Sequence, residues 1–170
     1  MKKIIIALCF TVAFLIALLS YNNTKILSSF NPSNHPDVIQ VEQMIDKTGA
    51  TVAAGTKKTV ALAIVENARY YGIKPKNLVA IAFVESTFRP NMINSSGDHG
   101  ICQINWFWHG RKYVKDPKEL LNVYKNFDIA CRIINENKRM GFADIASYHS
   151  FNDSDRKVYA ERIKNVLRRL

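Results

Sequence analysis

Apolar residues recur along the chain mainly at helical spacing. Between Asp37 and Lys47 they fall at Val38, Val41, Met44 and Ile45, with Pro36 at the start and Gly49 beyond the end, which predicts a helix. From Lys58 to Tyr71 a stripe of Val60, Ala61, Ile64, Ala68 and Tyr71 predicts a second, ended by Gly72. The small residues Thr51 to Thr56 between them read as a loop. Pro75 opens a third helix that runs to about Thr87 and stops before Pro90, because a proline removes a backbone donor and restricts the residue ahead of it. Asn91 to Gly100 is polar and reads as a loop; Lys118 to Met140 reads as one or two helices, and Phe142 to Ser150 as a short one. Arg156 to Leu170 reads as a basic amphipathic helix with Val158, Ile163, Val166 and Leu167 inward. No window sustains alternation with a period of two. The expected fold class is therefore mainly α, in a domain spanning residues 36–170.

The first twenty residues have a different pattern. Lys2 and Lys3 precede a run from Ile4 to Leu19 that is apolar except for Thr11. A basic start followed by such a run has the form of an export signal. Ser20 is a fair cleavage residue but Leu18, two before it, is a poor one, so residues 1–20 are expected to be either a signal peptide or an N-terminal membrane anchor. Residues 21–35, rich in Asn and Ser, read as a linker. The expected location is the periplasm or cell envelope, with the inner membrane as a partner if the leader stays.

Length and charge narrow the partners. The chain has 170 residues, room for one domain, and 48% apolar residues, which sets aside disordered and collagen-like classes. Its formal net charge of +10 favours an anionic partner. An exported protein meets wall polymer before nucleic acid, so no nucleic-acid partner is expected. The basic tail (Arg156, Lys157, Arg162, Lys164, Arg168, Arg169) reads as a solvated helix face attracted to anionic wall or lipid. Three cysteines, Cys9, Cys102 and Cys131, are too few for a disulfide scaffold. Cys102 and Cys131 read equally as a disulfide pair or as two buried thiols. Asp98, His99 and His149 are too scattered to predict a metal site, and neither a metal nor a cofactor is expected.

One carboxylate is out of place. Glu85 follows Leu78, Ile81 and Ala82 at seven, four and three residues, so it lies on the apolar stripe of its helix. Desolvation and the negative end of the helix both favour the protonated acid there, the form a general acid requires. The other reading is a structural Glu paired with a buried cation or placed at the stripe's edge. Glu42, Glu66, Glu119, Glu136 and Glu161 have polar neighbours and read as surface residues. Beyond Glu85, Gly97 and Gly100 bracket a tight turn, and Gln103 and Asn105 offer amides to an uncharged polar ligand. Trp106, Phe107, Trp108 and Tyr113 suit either a core or the faces of sugar rings.

These pieces, in this order, resemble the lytic transglycosylase (SLT, lysozyme-like) domains. The matching stretches are Ala68-Arg69-Tyr70-Tyr71-Gly72-Ile73, Leu78 to Ser86, Phe88-Arg89-Pro90-Asn91, and Gly97-Asp98-His99-Gly100-Ile101-Cys102-Gln103-Ile104-Asn105. Asn126 to Ile134, Ala146-Ser147-Tyr148-His149-Ser150 and the helix begun at Tyr159 continue the likeness, which spans about residues 58–168. Asn94 and Cys102 depart from the usual Ser and Met. The Gln-Ile-Asn and Tyr-His-Ser pieces look most like the small transglycosylases of type III and type IV secretion, conjugation and pilus systems. The resemblance implies a lysozyme-like helical fold, peptidoglycan glycan strands as substrate, and cleavage of the MurNAc–GlcNAc β-1,4 bond with formation of 1,6-anhydroMurNAc. It implies Glu85 as the catalytic acid, with Gln103, Tyr148, Asn105, His149, Ser86 and Asp98 on the substrate side. Asp98 stays open between a second, water-activating acid, which would make a hydrolase, and a turn residue bonded to its own backbone. A non-catalytic glycan-binding module is the remaining alternative.

Overall fold

The computed structural model describes residues 34–142 and 144–170; the expected leader and most of the expected linker lie outside them. Residues His35–Leu170 form one unit. Its elements are α1 (Pro36–Lys47), α2 (Ala54–Tyr71), α3 (Pro75–Ser86), β1 (Asp98–His99), β2 (Ile104–Asn105), α4 (Val123–Arg139) and α5 (Asp153–Leu167). Single 3-10 turns cover Gly110–Lys112, Pro117–Leu121 and Ile145–Tyr148. The domain is mainly helical, as the spacing predicts. Among the described residues no helix is long and apolar enough to cross a membrane.

The helix boundaries follow local chemistry. Helix α2 begins at Ala54, inside the stretch expected to be a loop: Lys57 N–H already bonds Ala53 O at 2.9 Å, and the buried stripe that follows outweighs the weak helix preference of Gly55 and Thr56. Of the one or two helices expected over 118–140, two form: Asn122 leaves helical geometry after the 3-10 turn and caps α4 by accepting the Lys125 N–H. At the other end of the chain Asn152 caps α5 by accepting from Ser154 and Asp155. That start places Tyr159 inward at 1% exposure, while Val158, expected inward, is 63% exposed.

The core is one cluster that draws on every helix. Helix α3 lies at its centre: Leu78, Val79, Ala80, Ile81 and Ala82 are all fully buried. Helix α2 packs on α1 and α4, and α3 packs on α5. Among the described residues the departure from an all-helical reading is a two-stranded antiparallel hairpin pairing Asp98 with Asn105 and His99 with Ile104, with a single further bridge from His99 to Ile93. Strands of two residues are too short to leave an alternating signature in the sequence.

Asn126 fixes that hairpin to the helices. Its Oδ1 accepts from Cys102 N at 2.8 Å, and its Nδ2 donates to Leu120 O at 2.7 Å and His99 O at 3.0 Å. Gly100 makes the close approach possible. Its φ is +78°, and a Cβ there would lie 2.2 Å from Leu120 O and 2.5 Å from Asn126 Nδ2.

Candidate active site

Helix α3 ends one residue after Glu85. It stops without glycine: Thr87 and Phe88 both take left-handed backbone, with φ of 53° and 59°. Thr87 N–H bonds Phe83 O and Phe88 N–H bonds Ala82 O, closing the helix. A β-branched residue pays strain in that region. Phe88, buried to 2% and packed against Phe83, holds the turn in place.

Ser86 serves the same junction. Its hydroxyl donates to Ile101 O at 2.7 Å and accepts from Arg89 N, and the residue is 1% exposed. Ser86, expected on the substrate side, braces the helix end against the hairpin and is not among the residues that line the groove holding Glu85.

The other expected residues converge. Glu85, Asp98, Gln103, Asn105, Tyr148 and His149 line one groove of about 300 Å³, joined by Ser96, Ile104, Trp108, His109 and Ile133. A larger hollow of about 570 Å³ lies between residues 51–56 and 87–93, but its walls carry no carboxylate, and Arg89 is its only charged side chain. Two other hollows carry carboxylates, Asp144 and Asp37, but both are exposed and ion-paired, so the withdrawn acid Glu85 singles out the smaller groove.

Glu85 is largely withdrawn from water in this groove. Burial, the largest influence, lifts its pKa from 4.5 to about 7, and the Asp98 charge pushes the same way. The Tyr159 hydroxyl and the Arg162 guanidinium pull it down. Arg162 is spent partly elsewhere, with Nη2 donating to Val84 O at 3.0 Å. The Tyr159 hydroxyl faces the carboxyl outside hydrogen-bond geometry: Glu85 Oε1 and Tyr159 Oη are both buried without a partner among the described residues. The alternative of a structural Glu locked in an ion pair is not what the fold builds, since no salt bridge to Glu85 forms among the described residues.

Around the acid, polar groups are held by their own bonds. Gln103 donates from Nε2 to Gly100 O at 2.8 Å and Met92 O at 3.1 Å, which fixes the amide's orientation and leaves its Oε1 buried and unpaired. Its backbone is left-handed, at φ 49°. Tyr148 donates to Cys102 O at 2.7 Å. Asp144 caps its 3-10 turn, and Asn137 Nδ2 ties that turn to α4 through Ser147 O. His149 stacks flat on Tyr159, 4.7 Å between centroids and 5° from parallel.

Asp98 is more constrained than either sequence reading. Its Oδ2 accepts from Asn94 Nδ2 and its Oδ1 from Asn105 Nδ2, each at 2.7 Å. Both carboxylate oxygens are engaged by side-chain amides, where a bond to its own backbone was one expectation. The cysteines resolve as well: Cys102 and Cys131 are buried free thiols. Among the described residues no three His, Cys, Asp or Glu side chains gather as a metal cage.

Sequence reasoning missed Tyr159 and Arg162 as neighbours of Glu85, and His109 as a groove residue; Trp108, left open between core and sugar face, lines the groove. Tyr159 and Arg162 stand more than seventy positions beyond Glu85, and helical spacing carries no information across that gap.

A mainly helical domain with one buried acid on a groove flanked by amides and aromatic rings has the construction of a glycan-cleaving enzyme. Residues 63–163 match the family model of the transglycosylase SLT domain, and the chain belongs to that family. It is a lytic transglycosylase, and its substrate is peptidoglycan. No curated protein and no solved structure matches the chain.

Proposed function

We propose that Glu85 is the single acid and base of the reaction. As an acid it gives its proton to the glycosidic oxygen between MurNAc and GlcNAc while the C1–O bond breaks. As the resulting carboxylate it takes the proton from the C6 hydroxyl of the same MurNAc, whose oxygen bonds to C1. The 1,6-anhydro ring closes, the acid is regenerated, and no water is consumed. The observation that carries this reading is a buried carboxyl with a pKa of about 7, able to hold and release a proton near neutrality. Gln103, with its unpaired Oε1, is placed in the proposal as acceptor for a sugar amide or hydroxyl. Asn105, Tyr148 and His149 serve as groove walls.

Hydrolysis would need a second group to activate water. Asp98 is the candidate, and the amide hydrogens on both its oxygens favour a positioning role over a base. The reading extends to location: the export-like leader supports an envelope protein, and the Gln-Ile-Asn and Tyr-His-Ser pieces support local wall opening for a secretion, conjugation, pilus or phage-entry machine. Fractionation of cells producing the tagged chain checks the location.

Digestion of purified sacculi with mass analysis of the fragments tests the chemistry. Anhydro-muropeptides are the expected product; reducing ends would replace the proposal with a hydrolase, and no release would replace it with a binding module. Glu85→Gln is expected to lower turnover by at least about 100-fold with folding intact.

A further inference from the structure

Trp108 is among the most exposed large apolar side chains of the described domain, at 68% of its surface. It also lines the groove that holds Glu85. An indole open to water at the edge of a polar groove has an apolar face with nothing to cover it.

Its position is built. The Trp108 N–H bonds Asn105 Oδ1 at 3.0 Å, and Asn105 is itself fixed to Ser96 O and Asp98 Oδ1. The Phe107 ring meets the indole edge-on, at 4.8 Å and 88°. The Arg111 guanidinium sits over Phe107 at 4.2 Å. The exposed ring is thus braced from its backbone and from its side, and the hairpin that carries Asp98 and Asn105 carries its anchor.

We propose that Trp108 is a stacking platform for one pyranose ring of the glycan strand, a binding residue at the mouth of the groove apart from the acid. A β-1,4-linked hexosamine has equatorial hydroxyls, so its axial C–H groups form a flat apolar face that matches an indole. The platform holds the strand in register beside Glu85 and takes no part in proton transfer. Its loss therefore weakens substrate binding more than the chemical step. The inference rests on the reading of this groove as the site of glycan cleavage.

The test uses the full chain and a soluble GlcNAc–MurNAc hexasaccharide. In a Glu85→Gln background, which keeps the sugar intact, binding is followed by tryptophan fluorescence; Trp108 is one of two tryptophans. Trp108→Phe is expected to remove most of the fluorescence response, with Kd by calorimetry within about threefold of the parent, because a flat ring remains. Trp108→Ala and Trp108→Leu are expected to weaken binding by up to about tenfold. In the active enzyme these two raise KM by a similar factor and leave kcat within about threefold. Unchanged binding and KM in the Ala and Leu variants would overturn the platform, as would a fall in kcat alone. The role of Glu85 would survive either result if Glu85→Gln still abolished turnover. A wild-type chain that neither binds nor cleaves the hexasaccharide would overturn both readings.

Discussion

The Tyr148 hydroxyl donates to the carbonyl oxygen of Cys102 at 2.7 Å, across 46 residues of sequence. That one bond ties the turn ahead of α5 to the loop that presents Gln103, so two walls of the groove share a strut. Burial holds the Tyr148 hydroxyl protonated far above the ordinary range, which keeps it a donor. Tyr148→Phe leaves the Cys102 carbonyl without this donor. It is expected to cost about 1–3 kcal/mol by urea unfolding. Turnover should fall with it, because the wall that orients Gln103 loosens. Unaltered stability and activity would show that the bond does not support the groove.

Burial lifts Glu85 from 4.5 to about 7, so the folded chain holds this proton more tightly than the unfolded chain. The resulting stability is fully present below pH 4.5 and is lost as pH rises toward about 7, a change of at most about 3 kcal/mol. Glu85→Gln should flatten the stability profile across that window and be the more stable protein at pH 8. The reaction needs the acid form first, so kcat/KM should fall on the alkaline side with an apparent pKa near 7. A rate that stays level to pH 9 would remove Glu85 from the role of acid.

Two glycines of the same turn separate strain from collision. Gly97 and Gly100 have φ values of +80° and +78°, but a Cβ at Gly97 meets nothing within 4 Å, while at Gly100 it meets Leu120 O at 2.2 Å. Gly97→Ala is expected to cost about 1–2 kcal/mol from backbone strain alone. Gly100→Ala adds an overlap with backbone and should cost at least about 3 kcal/mol or prevent folding. Equal losses in thermal unfolding would contradict the Asn126 anchor as described.

Cys102 and Cys131 are buried, and burial pushes the Cys131 thiol up to about 12 and the Cys102 thiol well above its usual value. Both should resist a thiol-specific reagent at pH 8 in the native protein and react once denaturant unfolds it. Labelling of either in the folded state would place it nearer the surface than the fold does.

The outer helices were legible because a buried stripe writes its period into the chain, while α3, buried on all sides from Leu78 to Ala82, was legible as an apolar run between Pro75 and Pro90. Glu85 was legible as an oddity for the same reason: Leu78, Ile81 and Ala82, which share its face, are all fully buried. The basic terminal helix was read with its face displaced, since Val158 and Tyr159 are neighbours in sequence and either suits an apolar face. The Asn152 cap and the packing of α5 on α3 turned Tyr159 inward.

The order of residues alone determined a helical domain and an acid on an apolar stripe, because burial and helical period are local properties of the chain. Tertiary structure decided what that acid meets. Tyr159 and Arg162 arrive from α5, Tyr148 from a turn secured by Asn137, and Asp98 is quenched by amides at 94 and 105. Each is a contact between segments whose separation in sequence has no periodicity. Only the packed core fixes those distances, and through them the proton affinity of Glu85.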